Sequence, residues 1–445
     1  MAQTDPELTG VGCVIFDEFH ERALQADLGL ALVWEARAAL RPDLKLLVMS
    51  ATLDAEPVAA LLDNAPVITA EGRAWPVETQ WLDRPWRRGG DRGARVEDAA
   101  ADLIVRALNE TEGGVLAFLP GQGEINRTAA RLSSRLSPDV ALQTLHGGLS
   151  LKAQSEALSP TQGARKLVLA TAIAETSLTI PDVRVVVDCG LARRARFDPA
   201  SGMSRLITER VTRAEAEQRR GRAGRVGPGW CYRLWTRGEE GGLGAFPPPE
   251  IVSGDLTGLA LELAVWGVRQ AETLAFLTPP PAPALAAARD LLRNLGALDA
   301  EGAATDHGRR LAKTPLHPRL GHMLLRAAQD GSAAKAADLA ALLSGRDPLR
   351  GVGADMSARL TALRSRQPSG IDPATLSNLQ REGDRLRALV TDTSGAGLSP
   401  GAALSLAYPD RIGKRRLGSA PRYLLSGGKG AVLANDDALA NAPYL

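Results

Sequence analysis

Short apolar runs that stop abruptly in polar or glycine-rich clusters, with helix-like stretches between them, constrain this chain more than anything else in it. Val11-Gly-Cys-Val-Ile-Phe16 ends in Asp17-Glu18, and residues 44–49 end in Ser50-Ala51-Thr52, with an apolar-rich stretch over 27–40 between them. This spacing predicts strand, helix, strand, in which the helix carries the chain back so that the two strands run parallel. The alternation resumes at 96, with a helix over 96–110 and a strand over 114–119 that runs into Pro120-Gly121-Gln122-Gly-Glu124. Residues 142–145 lead into His146-Gly147-Gly148, residues 166–170 into Thr171, and 183–188 form one more strand. Loops after the C-terminal ends of parallel strands are where open sheets bind ligands, and most of the polar clusters fall there. The fold class is α/β with parallel sheets.

Two clusters give that scaffold a chemistry. Gln218-Arg-Arg-Gly-Arg-Ala-Gly-Arg225 puts four guanidiniums and one amide into eight residues. Planar donor forks on a glycine-loosened turn suit a polyphosphate, although a basic surface loop would explain the cluster taken alone. Far upstream, Asp17-Glu18 at a strand end is a Walker B arrangement, in which Asp17 holds Mg²⁺ through water and Glu18 orients and deprotonates an attacking water. Acids for a metal and a water, with cations for a transferring phosphoryl group, make sense together. Between 190 and 225 ten arginines stand against four acids, a local patch suited to phosphates, although the net charge of the whole chain is only +2.

Other classes are disfavoured. No uncharged apolar run approaches the roughly 18 residues of a membrane span, and the first residues carry neither the basic nor the apolar region of a signal peptide. The three cysteines are read as buried free thiols in a reducing cytoplasm, and no two of the five histidines stand at ligand spacing. None of the seven lysines lies in G-x-x-x-x-G-K-[ST]. Beyond Phe246-Pro-Pro-Pro249 the composition changes to alanine- and leucine-rich helices over 255–267, 283–297, 319–329 and 333–345. A tail with one helix and an alternating hairpin over 423–433 follows. The second sheet and the helical region are expected to carry their own cores.

Asp17-Glu18-Phe-His20, Ser50-Ala51-Thr52, Phe118-Leu-Pro-Gly-Gln122, residues 171–180 and residues 218–225 resemble, in order, the motifs of DEAH/RHA superfamily 2 RNA helicases. The Phe within Asp17-Glu18-Phe-His20, with Pro315-Leu-His-Pro-Arg319 and the tail over 405–433, resembles the bacterial HrpB-type branch. The resemblance covers almost the whole chain. It implies RecA-like P-loop NTPase domains, the first partial (1–75) and the second complete (76–243). It further implies a winged helix (247–308), a helical ratchet bundle (309–395) and the start of a further domain (396–445).

The function implied is ATP- and Mg²⁺-dependent translocation on, or unwinding of, RNA in the cytoplasm, with single-stranded or structured RNA as partner and DNA as an alternative. Asp17 and Glu18 then serve the metal and the water beside His20. Gln218 positions the water, Arg222 and Arg225 contact the γ-phosphate, and Thr179 lies near the nucleoside. Ser50, Ala51 and Thr52 couple hydrolysis to movement. Gly121, Gln122, His146, Gly147, Thr171, Arg193 and Arg194 grip the sugar-phosphate backbone. Ala172 stands where the family usually has Asn, and Leu158 where relatives often place an aromatic residue. The family's Walker A is missing, so the chain is expected to be truncated at its N-terminus, and at its C-terminus too. A non-hydrolysing nucleic-acid or partner-binding fragment is the competing reading.

Overall fold

The computed structural model describes residues 5–51, 55–70, 72, 74–86, 95–161, 163–175, 180–198, 202–349, 351–365, 371–393 and 395–445. β1 (Cys13–Phe16) and β2 (Lys45–Val48) pair in parallel, joined by a 3₁₀ turn and α1 (Leu24–Ala39). α2 (Ala55–Leu61) follows. Side chains alternate across this pair: Val14, Phe16 and Leu46 turn toward Leu8, Val33 and Leu44, while Ile15 and Leu47 stay 56% and 45% exposed. Cys13 shares the outer face and is exposed, unlike the buried thiol expected from the sequence, because the strand's period of two turns it away from the core. Burial pushes the Cys189 and Cys231 thiols up to about 12.

The second sheet has six strands, all parallel, in the order β3-β10-β7-β4-β6-β5. They are β3 (Val77–Gln80), β4 (Gly114–Phe118), β5 (Val140–Leu145), β6 (Arg165–Ala170), β7 (Val183–Asp188) and β10 (Gly229–Arg233). α3 (Val96–Glu110) and α4 (Gln122–Leu132) pack Ile104 and Ile125 onto one face, against Val115, Leu167 and Val185. The other face, with Leu116, Val168 and Val186, is covered by Ala157 of α5 (Leu151–Leu158) and by Ala223. Both faces are therefore apolar at the centre of the sheet, which is why β4, β6 and β7 read as hydrophobic runs, while the edge strands β3 and β5 carry Glu78, Gln80 and Gln143. The chain fills one side of β4 with β6 and β5 and the other with β7 and β10. The strand order thus reverses at β4, which puts the loops after β4, β6 and β7 around one crevice. β8 (Leu191–Asp198) and β9 (Met203–Arg210) form an antiparallel hairpin beside the sheet, and α6 (Arg213–Gly221) leads on to β10.

After α7 (Arg237–Glu240), the helical region comprises α8 (Glu250–Ser253), α9 (Thr257–Trp266), α10 (Ala282–Asn294) and α11 (Asp306–Ala312). It continues with α12 (Pro318–Gln329), α13 (Ala333–Ser344), α14 (Met356–Arg364), α15 (Pro373–Arg387) and α16 (Pro400–Ala407). β11 (Gly413–Arg415), β12 (Arg422–Leu425) and β13 (Gly430–Val432) close as an antiparallel sheet, with Gly428 at φ 83° in the last turn.

The first helical units share a core with an element from the other end of the sequence. Leu24, Leu28, Ala31 and Leu32 of α1 are buried in one cluster with Ile251, Leu263, Leu292 and Leu311. Leu30 points instead to Phe19 and Val58, and Val33 to Leu44. A helix buried on several sides is apolar nearly all round, as the sequence of α1 is. The expectation of a self-contained helical core is corrected accordingly.

The fold brings together two histidines that the sequence keeps apart. His307 on α11 and His322 on α12 lie with Nε2 and Nδ1 2.8 Å apart, although 15 residues separate them. Burial, and then Arg326 and Arg310, hold the His307 imidazole below the ordinary 6.5, while burial, His307 and Arg326 bring His322 down to about 4. The unfolded chain thus takes up its proton first as pH falls. The stability contributed by the neutral pair is complete above about pH 6.5 and is lost toward pH 4. His322→Gln should flatten the acid slope of stability, removing up to ~3 kcal/mol of the loss between pH 6.5 and 4. Denaturation midpoints at neutral and acid pH test this, and equal slopes in both proteins would contradict it.

Candidate active site

The loop after β1 is strained and heavily tied. Glu18 sits at φ 50°, ψ 35° and Arg22 at φ 50°, a region that costs side-chain-bearing residues energy and recurs at functional sites. What holds it is local: the Glu18 N–H donates to Asp17 Oδ1 at 2.8 Å, and the Phe19 N–H to the Met49 carbonyl at 3.0 Å. Buried Phe19 nails the turn to the core. Arg22 forks onto Asp27 at 3.0 and 3.1 Å and donates to Thr278 at 2.9 Å. Glu250 accepts the Leu24 N–H at 2.7 Å and returns its own N–H to the Arg22 carbonyl at 3.0 Å. Burial raises the Asp27 carboxyl above its usual range despite Arg22. The helical region therefore grips the acidic loop directly.

His20, only 7% exposed, is where the two sheets meet. Its Nδ1 lies 3.4 Å from the Ala51 N–H and 3.5 Å from Glu18 Oε2, while its Nε2 lies 2.6 Å from the Gln218 side-chain amide. The atom of Gln218 that meets Nε2 is its amide nitrogen, and the tautomer of the ring sets which of the two donates. Ala51 thus touches the site by its backbone, Ser50 is exposed beside it, and Thr52 lies outside the described residues, as does Thr179.

The arginine cluster is helical rather than a loosened turn. A capping box between Thr212 and Glu215 starts α6, which runs to Gly221 and passes into a 3₁₀ turn over Arg222–Gly224. Gly224 is required by contact: a Cβ there would lie 2.6 Å from the Trp75 carbonyl, whose own N–H donates back to the Gly224 oxygen at 2.9 Å. The four guanidiniums do different things. Arg219, 1% exposed, donates to Asp188 at 2.7 Å and Glu175 at 2.5 Å and stacks 5.0 Å over Phe118. Arg220 reaches Thr79 and Glu217. Arg222, buried, donates to the Glu175 carbonyl, and Arg225 is exposed. Burial first, then repulsion from Arg225, brings Arg222 down to about 10, with Glu18 opposing both, and the same carboxylate acts on Arg225. Both guanidiniums thus lie within the field of the acidic loop's Glu18.

Gly121, Gly147 and Thr171 lie on the loops after β4, β5 and β6, and Gln122 opens α4, all at one end of the sheet. Arg193 projects toward that end and pairs with Glu124 at 3.0 Å. Two expected backbone-gripping side chains are used otherwise. His146 is 5% exposed and accepts the Gly148 N–H at 3.2 Å, so it shapes its loop from within. Arg194 is taken up by Glu209 at 2.9 Å and by Glu215. Glu175 and Asp188 escaped the sequence reading; burial lifts the Glu175 carboxyl even against Arg219. Acids within or beside the ligand loops were the available signal. A cavity of about 380 Å³ lies between His20, Gln218, Glu215, Arg194 and Phe246.

The family model for the helicase conserved C-terminal domain matches residues 97–227. The chain is 44% identical to the ATP-dependent RNA helicase HrpB of Escherichia coli (strain K12), over 100% of its own length and 53% of that protein. It is 37% identical to the pre-mRNA-splicing factor ATP-dependent RNA helicase prp22 of Schizosaccharomyces pombe, over 76% of this chain and 29% of that one. A crystal structure of the Escherichia coli DEAH/RHA helicase HrpB superposes with a TM-score of 0.86 at 43% identity, covering 100% of this chain and 54% of that chain. The chain therefore spans about half the length of the HrpB proteins it matches.

Proposed function

We propose, from the premise that this chain belongs to the DEAH/RHA helicase family, that it works in ATP-driven translocation on, or unwinding of, RNA in the cytoplasm. One observation carries the reading: His20 and Gln218, 198 residues apart, meet at 2.6 Å and join the acidic loop to the arginine-bearing helix. Carboxylates facing a pair of repelling guanidiniums suit a polyphosphate with a divalent cation, whose charges would relieve both. ATP with Mg²⁺ supplies the transferable phosphoryl group when bound. Asp17 would hold the cation through water, and Glu18 would take the proton of the attacking water, which Gln218 orients with His20. Arg222 and Arg225 would neutralise the charge that develops on the γ-phosphate. Ser50, Ala51 and Thr52 would relay the outcome to the other sheet, and Thr179 would lie by the nucleoside. Gly121, Gln122, Gly147, Thr171 and Arg193 would hold an RNA backbone without reading bases.

Nothing in the sequence reads as G-x-x-x-x-G-K-[ST], the backbone cradle for the β- and γ-phosphates. These 445 residues expressed alone are therefore expected to release no phosphate above background. Joined behind a segment that bears such a loop, they should give RNA-stimulated hydrolysis that Glu18→Gln abolishes. The chain alone should still bind unstructured RNA. Neutralising about four phosphates predicts a roughly 50-fold loss of affinity between 50 and 200 mM salt, with little sequence preference. Hydrolysis by the chain alone, or salt-insensitive binding of a single sequence, would overturn the reading.

A further inference from the structure

The adjacent arginines of β8 point to opposite faces of the strand, as its period of two requires, and each reaches a different element. Arg193 donates to Glu124 Oε1 at 3.0 Å, in the first turn of α4 directly after Gly121 and Gln122. Arg194 donates to Glu215, in the first turn of α6, and to Glu209 at 2.9 Å and the Arg210 carbonyl at 3.5 Å. Glu215 also accepts from the Thr212 N–H at 2.7 Å and its hydroxyl at 2.8 Å, so the start of α6 depends on it. Gln218 lies three residues on, one helical turn away, and carries the contact to His20. The side chains of Arg194 and Glu215 are 17% and 12% exposed, so solvent screens the pair little.

We infer that β8 is a strut between the RNA-facing loop over 121–124 and the water-positioning Gln218, with Arg194 as a positioning residue that acts through Glu215. The inference rests on the RNA and ATP reading above and adds a route by which one site adjusts the other. A shift of the 121–124 loop moves Arg193. Because the two arginines are consecutive on one hydrogen-bonded strand, Arg194 moves with it. Glu215 then turns the first turn of α6, and the Gln218 amide changes its approach to His20. An arginine already held by two carboxylates has no need of a phosphate, so Arg194 serves this role rather than the RNA contact its sequence position implies.

The imidazole of His20 is the reporter, one of five histidines and assignable by its loss in His20→Gln. Histidine-labelled chain is titrated with a short oligouridylate and followed by NMR, while fluorescence anisotropy records binding in parallel. The expected result is an RNA-dependent shift of the His20 signal that Arg194→Met largely removes with the binding curve unchanged. Glu215→Gln, which keeps an acceptor for the Thr212 cap, should match it, and the double variant should lose no more than either single one. A full His20 response in both single variants overturns the inference. So does RNA binding by the unsubstituted chain that leaves His20 unmoved, or a loss of affinity in Arg194→Met equal to that in Arg193→Met. Absence of RNA binding overturns the functional reading itself, and the strut with it.

Discussion

Arg222→Ala, made in a version of this chain joined to a P-loop segment, is expected to lower turnover by about 10³–10⁵-fold, the range for arginine fingers. Arg222 is placed for such an effect. It is 7% exposed and is fixed by the Glu175 carbonyl. Burial and the neighbouring Arg225 hold its pKa down to about 10, so at neutral pH it remains charged in a place that disfavours charge. An anion developing beside it gains that relief in full, whereas a ground-state phosphate still screened by Mg²⁺ and water gains less. Nucleotide affinity should therefore fall far less than turnover. Arg222→Lys should recover little, since an ammonium cannot reproduce a planar fork. Single-turnover hydrolysis and nucleotide binding, measured on the same proteins, separate the two effects. Near-normal turnover in the alanine variant would remove Arg222 from the site.

Arg219→Met should cost about 3–5 kcal/mol of stability, the usual loss when one partner of a buried ion pair is removed. Asp188 is 0% exposed and Glu175 8%, and both lose their cation in that variant. Burial already pushes the Glu175 carboxyl upward with the guanidinium present, so without it the group takes up a proton or drags in water. Adding Glu175→Gln and Asp188→Asn should restore most of the loss, because the uncompensated charges, rather than the missing arginine, carry the penalty. Trp235, buried against Ala192 and Ala216 of α6, contributes to a fluorescence signal that follows the unfolding. A loss below about 1 kcal/mol, the worth of a surface ion pair, would show that Arg219 is not the internal brace its contacts describe. The same eight-residue motif would thus yield one variant whose defect is chiefly in turnover and another whose defect is chiefly in folding.

That difference was invisible in Gln218–Arg225 as a string, and it marks the boundary between what the chain states locally and what it does not. Contiguous patterns were legible: apolar runs became β1, β2 and four strands of the six-stranded sheet, while β3 with its Glu78 and Gln80 gave no such signal, and the clusters after the apolar runs became the loops at the binding end. The reason is that strand burial, crossover helices and loop position follow from neighbours along the chain. The choice of partner does not. Whether an arginine of the motif meets Glu175, Thr79 or an open cleft depends on where β3, β7 and the loop after β6 lie in space. The apolar surface of α1 was evident, yet only packing assigns it to Leu263 and Leu292, more than two hundred residues away in sequence. His307 and His322 carry no spacing signal because α11 and α12 must cross before their rings can meet. So the sequence by itself determined the parallel α/β scaffold and the residue types at its binding edge. The tertiary structure decided which of those charges stay in the cleft and which are spent holding it together, since a charge's role is set by the dielectric and the counter-charge around it.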